Sequence, residues 1–183
     1  MQRGGWLYLV TIIFAFKHKL TMTMQTNQTR TPTSCRNGAS PIRGGREGGL
    51  PRGLRNNNPL NIRRSRDKWK GMARVQTDPQ FVQFITMAYG YRAAFVLLRT
   101  YRQKYGYNTI RKIISRWAPN NENNTERYIE NVSRWAGIDP DKLLAGQDAN
   151  AMMAIVSAMS RMENGREANP ADVAEGWRMA NDN

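Results

Sequence analysis

Between Met87 and Tyr105 the chain places Tyr91, Ala94, Phe95, Leu98, Tyr101 and Tyr105 at intervals of three and four, and Gly106 follows. That spacing lays one apolar stripe along a helix, and glycine after the last periodic residue is a stop signal. The same grammar repeats downstream. Asn108-Thr109 can cap a short helix with Ile110, Ile113, Ile114 and Trp117 on one face, ended by Pro119. Thr125 can cap a helix carrying Tyr128, Ile129, Val132 and Trp135, closed by Gly137. Asp139-Pro140 opens a turn holding Leu143 and Leu144. Asp148 caps a helix through about Met162, with Met152, Ile155, Val156 and Met159 buried, and Asn169-Pro170 opens a last one with Val173 and Trp177. Cap residues with short polar side chains satisfy the free N–H groups of a first turn, and Pro fits its first position. One short alternating run, Phe81-Val82-Gln83-Phe84, reads as a strand that pairs near Val75 in a small hairpin. The expected class is a mainly α domain over residues 52–183 with one small β-hairpin element.

Residues 1–51 read as a flexible basic arm. Residues 24–51 are rich in Thr, Asn, Gly and Arg, and cannot bury enough apolar surface to offset ordering entropy. The apolar run from Trp6 to Phe16 is too short for a membrane span. Residues 1–23 read as a start opened too early, with Met22 or Met24 as the hydrophilic start, or as a signal core or short anchor. No stable membrane span is expected.

Charge and scarcity narrow the chemistry. The chain has 28 Lys+Arg against 14 Asp+Glu. By segment, residues 1–51 have seven basic and one acidic side chain, 52–144 eighteen and seven, and 145–183 three and six. A basic middle segment suits a polyanionic partner: nucleic acid, an anionic membrane or the anionic cell wall. There is one Cys, Cys35, and one His, His18. A zinc centre or a Ser-His-Asp or Cys-His triad would have to draw on these two, both in the arm. No metal or cofactor is expected, and acid–base chemistry falls to carboxylates.

Glu122 and Glu163 stand out by position. Glu122 lies in a polar loop before a helix N-terminus. Glu163 ends an apolar helix, with Gly165 breaking the chain next. There the helix dipole and partial desolvation disfavour the carboxylate and raise its pKa, which a general acid at neutral pH requires. The ordinary alternative for each is a solvated glutamate. Trp69, Trp117, Tyr128 and Trp135 can stack on sugar rings or simply pack in the core. The run Arg52-Gly-Leu-Arg-Asn-Asn-Asn-Pro-Leu-Asn-Ile-Arg63 shows neither helical nor strand period, so turn chemistry sets its shape. It holds no carboxylate, but Asn56, Asn58, Asn61 and Arg63 are suited to gripping sugars or carboxylates.

Taken together, Arg52–Arg63, Trp69-Lys70-Gly71, Tyr89-Gly90-Tyr91-Arg92-Ala93, Trp117–Thr125 with Tyr128-Ile129, and Glu163-Asn164-Gly165 resemble a phage and prophage family. Its members are virion-associated structural or lytic proteins with a lysozyme-like domain. Asn58–Arg63 with Trp69, Gly71 and Phe84 is also similar to a region of bacterial glucosaminidase domains. Ile155–Pro170 is similar to the lytic transglycosylase helix that ends in catalytic Glu, then Ser and Gly; here Asn164 stands in place of Ser. In those families the Glu helix comes before the hairpin, so the resemblance implies a circularly permuted lysozyme-like fold. It further implies peptidoglycan as substrate and Glu163 as acid, with Glu122 as runner-up or second carboxylate. Asn56, Asn58, Asn61, Arg63, Trp69, Asn123 and Tyr128 would line the substrate groove. Asn58 and Asn61 should then lie beside Glu163 in space. Peptidoglycan and other virion proteins are the implied partners, in the virion or after delivery from the host cytoplasm to the periplasm and cell wall. Two alternatives stand: a non-enzymatic phage structural or nucleic-acid-binding protein, and a catalytically inactive wall-binding module.

Overall fold

The computed structural model describes residues 49–119 and 124–182. Residues 1–48 of the arm, its apolar run, Glu122 and Asn123 lie outside the described residues. The fold is mainly α. Six helices follow in order among the described residues: α1 Arg52–Arg55, α2 Met87–Tyr105, α3 Ile110–Trp117, α4 Thr125–Ala136, α5 Ala149–Asn164 and α6 Pro170–Asn181.

The caps explain where the longer helices begin. Thr109, Asn124, Asp148 and Asn169 each accept a hydrogen bond on the side chain from a backbone N–H of the first turn, and Pro170 opens α6. Thr125 is therefore the first residue of α4 and Asn124 its cap, one position earlier than the sequence suggests. Gly106, Gly137 and Gly165 end α2, α4 and α5 in the left-handed conformation.

Two helix pairs form the body. α2 packs along α6, and α4 against α5, with α3 beside α4. Phe95 and Trp177 meet edge to face at 5.2 Å across the first pair. Arg92 and Arg99 on α2 donate to the carbonyls of Met179 and Ala180, two of the groups that the last turn of α6 leaves without an intrahelical donor. The core runs through Leu60, Ile62, Val82, Tyr91, Leu98, Ile114, Trp117, Ile129, Ile155 and Met159, all at most 1% exposed. Burying each such aliphatic side chain stabilises by roughly 1.5–3 kcal/mol. Met152 and Met159 of α5 are core, and Met153 and Met162 pack half-buried against it, as gap-filling residues usually do.

The expected hairpin is reduced to two isolated antiparallel bridges, Arg63 with Phe81 and Met72 with Phe84. No strand forms among the described residues, and Val75 is 72% exposed. The cause is chemical. Gln76 and Gln83 side chains bond to backbone groups of this segment, taking places that a ladder would use. α1 was not foreseeable from period, because one turn has none; Pro51 O accepts from Leu54 N and Arg55 N to start it.

Candidate active site

The twelve-residue Asn-rich turn is built by its own amides. Asn58 accepts from Ile62 N at 2.8 Å and donates to Ile62 O and Val82 O. It is fully buried, and its side chain is spent on Ile62 and Val82. Asn57 and Asn61 both adopt positive φ, 49° and 50°, which asparagine tolerates better than other non-glycine residues. That conformation turns Asn61 inward, toward the end of α5.

There Glu163 closes the site. It is 9% exposed, and three donors from three elements reach it. Tyr128 on α4 donates to Oε1 at 2.7 Å, Trp117 Nε1 on α3 to the same oxygen at 3.4 Å, and Asn61 Nδ2 to Oε2 at 3.2 Å. Burial penalises the charged form and outweighs these bonds, so the carboxyl is pushed up to about 8. At neutral pH Glu163 is mostly a carboxylic acid. The Tyr128 hydroxyl is raised well above its usual value by burial and by the glutamate beside it.

Asn164, next in sequence, fixes the turn to the helix. Its Nδ2 donates to Pro59 O at 2.7 Å and to Ser160 O at 2.8 Å. With Asn61–Glu163, it forms a second bridge between segments about a hundred residues apart. Gly53 on α1 makes the approach possible. A Cβ there would lie 2.9 Å from Asn58 O and 3.1 Å from Asn61 Oδ1, with Asn164 Oδ1 closer still. Any side chain at 53 forces the turn and α5 apart.

Asn56 lies in a separate cluster. Its Nδ2 donates to Asp78 Oδ2 at 2.7 Å, and its Oδ1 accepts from Gln83. Asp78 also receives both Arg52 Nε and Nη2 at 2.7 Å and the backbone N–H groups of Gln80 and Phe81. Burial disfavours its charge, but this set of donors prevails and holds the carboxyl well below the usual carboxylate range. Asp78→Ala should cost about 3 kcal/mol in urea unfolding at pH 7, because Asn56 Nδ2 is left buried without its acceptor. A cost under 0.5 kcal/mol would mean the cluster does not hold the turn.

Of the residues singled out in the sequence, Glu163, Asn61 and Tyr128 thus meet. Asn58 lies in the same turn without bonding the carboxyl. Arg63 lies over the Phe81 ring at 5.4 Å. Trp69 is half-buried against the core, and its Nε1 has no partner among the described residues. Sequence reasoning missed Asp78, Gly53 and the indole donor of Trp117. Trp117 is 0% exposed, so its aromatic face belongs to the core.

These features define a class: a mainly helical protein with one buried, protonated glutamate at a helix end, clasped by a distant asparagine turn. No family model matches the chain. Protein P5 of Pseudoalteromonas phage PM2 is 46% identical over 117 residues, which cover 62% of this chain and 71% of that protein. The chain belongs to the family of that phage protein. No helix among the described residues is long and apolar enough to cross a membrane.

Proposed function

We propose that this phage protein cleaves the glycan strands of peptidoglycan, as a lytic transglycosylase or muramidase with a circularly permuted lysozyme-like domain. The observation that carries the reading is Glu163: an acid held protonated at neutral pH, at the end of an apolar helix, against the asparagine turn. Such a group can deliver its proton to a glycosidic oxygen as the bond to the anomeric carbon breaks. In a transglycosylase the resulting carboxylate takes a proton from the muramic C6 hydroxyl as that oxygen closes on C1. In a hydrolase a second carboxylate is needed, and Glu122 is the candidate from sequence. Virion association and delivery to the wall belong to this same reading.

The test is clearing of purified sacculi by the full chain. Glu163→Gln should slow lysis by about 10²–10⁴-fold, the usual contribution of a general acid. Glu122→Gln separates the two chemistries: loss favours a two-carboxylate hydrolase, retention a transglycosylase. Lysis unchanged in Glu163→Gln removes Glu163 from the reaction. Binding to sacculi without any clearing by the parent favours an inactive wall-binding module.

One observation favours a second reading, a nucleic-acid-binding phage protein. Arg66, Lys68, Lys70 and Arg74 are exposed, have no ion pair among the described residues and lie on one loop. Lys68 and Arg74 line a groove of about 330 Å³ together with Arg64, Asp67 and Gln76. A gel shift that weakens steeply with salt, with no effect on sacculi, supports that reading.

A further inference from the structure

The bonding around Glu163 leaves one amide facing the wrong way for a protonated acid. Oε1 already accepts from Tyr128 and Trp117. The acid proton therefore belongs on Oε2, whose neighbour is Asn61 Nδ2. There an O–H would face an N–H, donor against donor. On the other side of the same amide, Asn61 Oδ1 is buried with no hydrogen-bond partner among the described residues, and so is Asn164 Oδ1. Both point at the bare Cα of Gly53, with Asn58 O beside them. A half-turn of the Asn61 carboxamide resolves the mismatch at both ends. Oδ1 then accepts from Oε2–H, and the NH2 group moves in among Asn58 O and Asn164 Oδ1, which are acceptors. Only the terminal torsion changes: the positive φ and the bond from Asn61 N to Asn58 O at 2.9 Å stay in place.

We propose that the Asn61 carboxamide is a positioning group that turns over with the protonation state of Glu163, holding the proton on Oε2 through Oδ1 and meeting the carboxylate with Nδ2. Its value to catalysis rests on the acid role proposed above. When the acid gives up its proton, the same side chain becomes a donor to the new charge. Tyr128 is the titratable group that touches Glu163, and its hydroxyl, itself pushed upward, stays a donor throughout. No Lys, Arg or Asp of the described residues adds to the shift of Glu163. Arg161, on the same helix, is engaged with Glu167 and the Trp135 ring.

The full chain, labelled with ¹³C and ¹⁵N, decides the point by NMR. The Glu163 carboxyl signal should titrate near 8, the value that burial gives it. Below the midpoint the Asn61 side-chain NH2 should show a nuclear Overhauser effect to the Gly53 α-protons; above it, that contact should fade and one to the Glu163 γ-protons appear. The same orientation on both sides of the titration overturns the proposal. Asn61→Gly, which accepts positive φ without strain, serves as the assignment control and should lose both contacts while keeping helical circular dichroism. The acid role is judged separately: lysis retained in Glu163→Gln, with the amide turning in the parent, removes the catalytic reading alone.

Discussion

Glu163→Gln should be the more stable protein above pH 8, and the difference should vanish toward pH 4. Folding raises the Glu163 pKa from its ordinary 4.5 to about 8. The native state then binds more protons than the unfolded chain between those values, so stability falls as pH rises, by up to about 1.4 kcal/mol per unit. The stabilising balance is fully present below the unfolded value and is lost as pH passes the folded one. Across the window the loss is on the order of 3–5 kcal/mol, and glutamine, uncharged and of the same shape, escapes it. Urea midpoints of parent and variant at pH 5, 7 and 9 measure this. Asp78 acts with the opposite sign: its carboxyl is held low, so its contribution is present above the usual carboxylate range and is lost in acid. It is common to both proteins and cancels in their difference. Parallel stability curves would mean that Glu163 titrates like an exposed carboxylate.

Trp117→Ala should cost about 4–5 kcal/mol, the upper end for removing a buried aromatic side chain. The indole is fully buried at the end of α3, meets Tyr101 edge to face at 6.4 Å and donates to Glu163. The deletion removes packing and a donor together. Trp117→Phe isolates the donor: it should cost about 1–2 kcal/mol and move the Glu163 titration further up, because one bond to the carboxylate is gone. Thermal or urea unfolding of the two variants checks this. If Trp117→Ala cost under 1 kcal/mol, the ring would have to be a surface platform for sugars after all.

Helices α2 through α6 were legible in the chain because each carries a start or a stop signal of its own. A stripe at three and four, a short polar cap or a following glycine or proline is a local signal, and α2 through α6 follow these to within a residue or two. Residues 72–84 were not legible, because alternation at Phe81–Phe84 describes a strand only if its neighbours leave the ladder free, and Gln76 and Gln83 do not. The site was partly legible. Glu163 could be singled out by its place after an apolar run, and Asn61 by the turn around it. That Asn61 bonds Glu163 while Asn58 bonds Ile62 and Val82 depends on two φ angles and on a missing Cβ at Gly53, none of which has a period. Asn164 shows its consequence only in space: its amide ties α5 to Pro59 O.

That tie sets an order of events during synthesis. The turn leaves the ribosome about a hundred residues before the glutamate it clasps, and closing so long a loop is among the slower steps of a small domain's folding. α1, α2 and α3 can form from local contacts while Asn61 waits without a partner. A growing chain that has not yet reached residue 163 carries the receiving half of the site and no acid. Whatever chemistry Glu163 performs is thereby withheld from the cell until nearly the whole domain has been made.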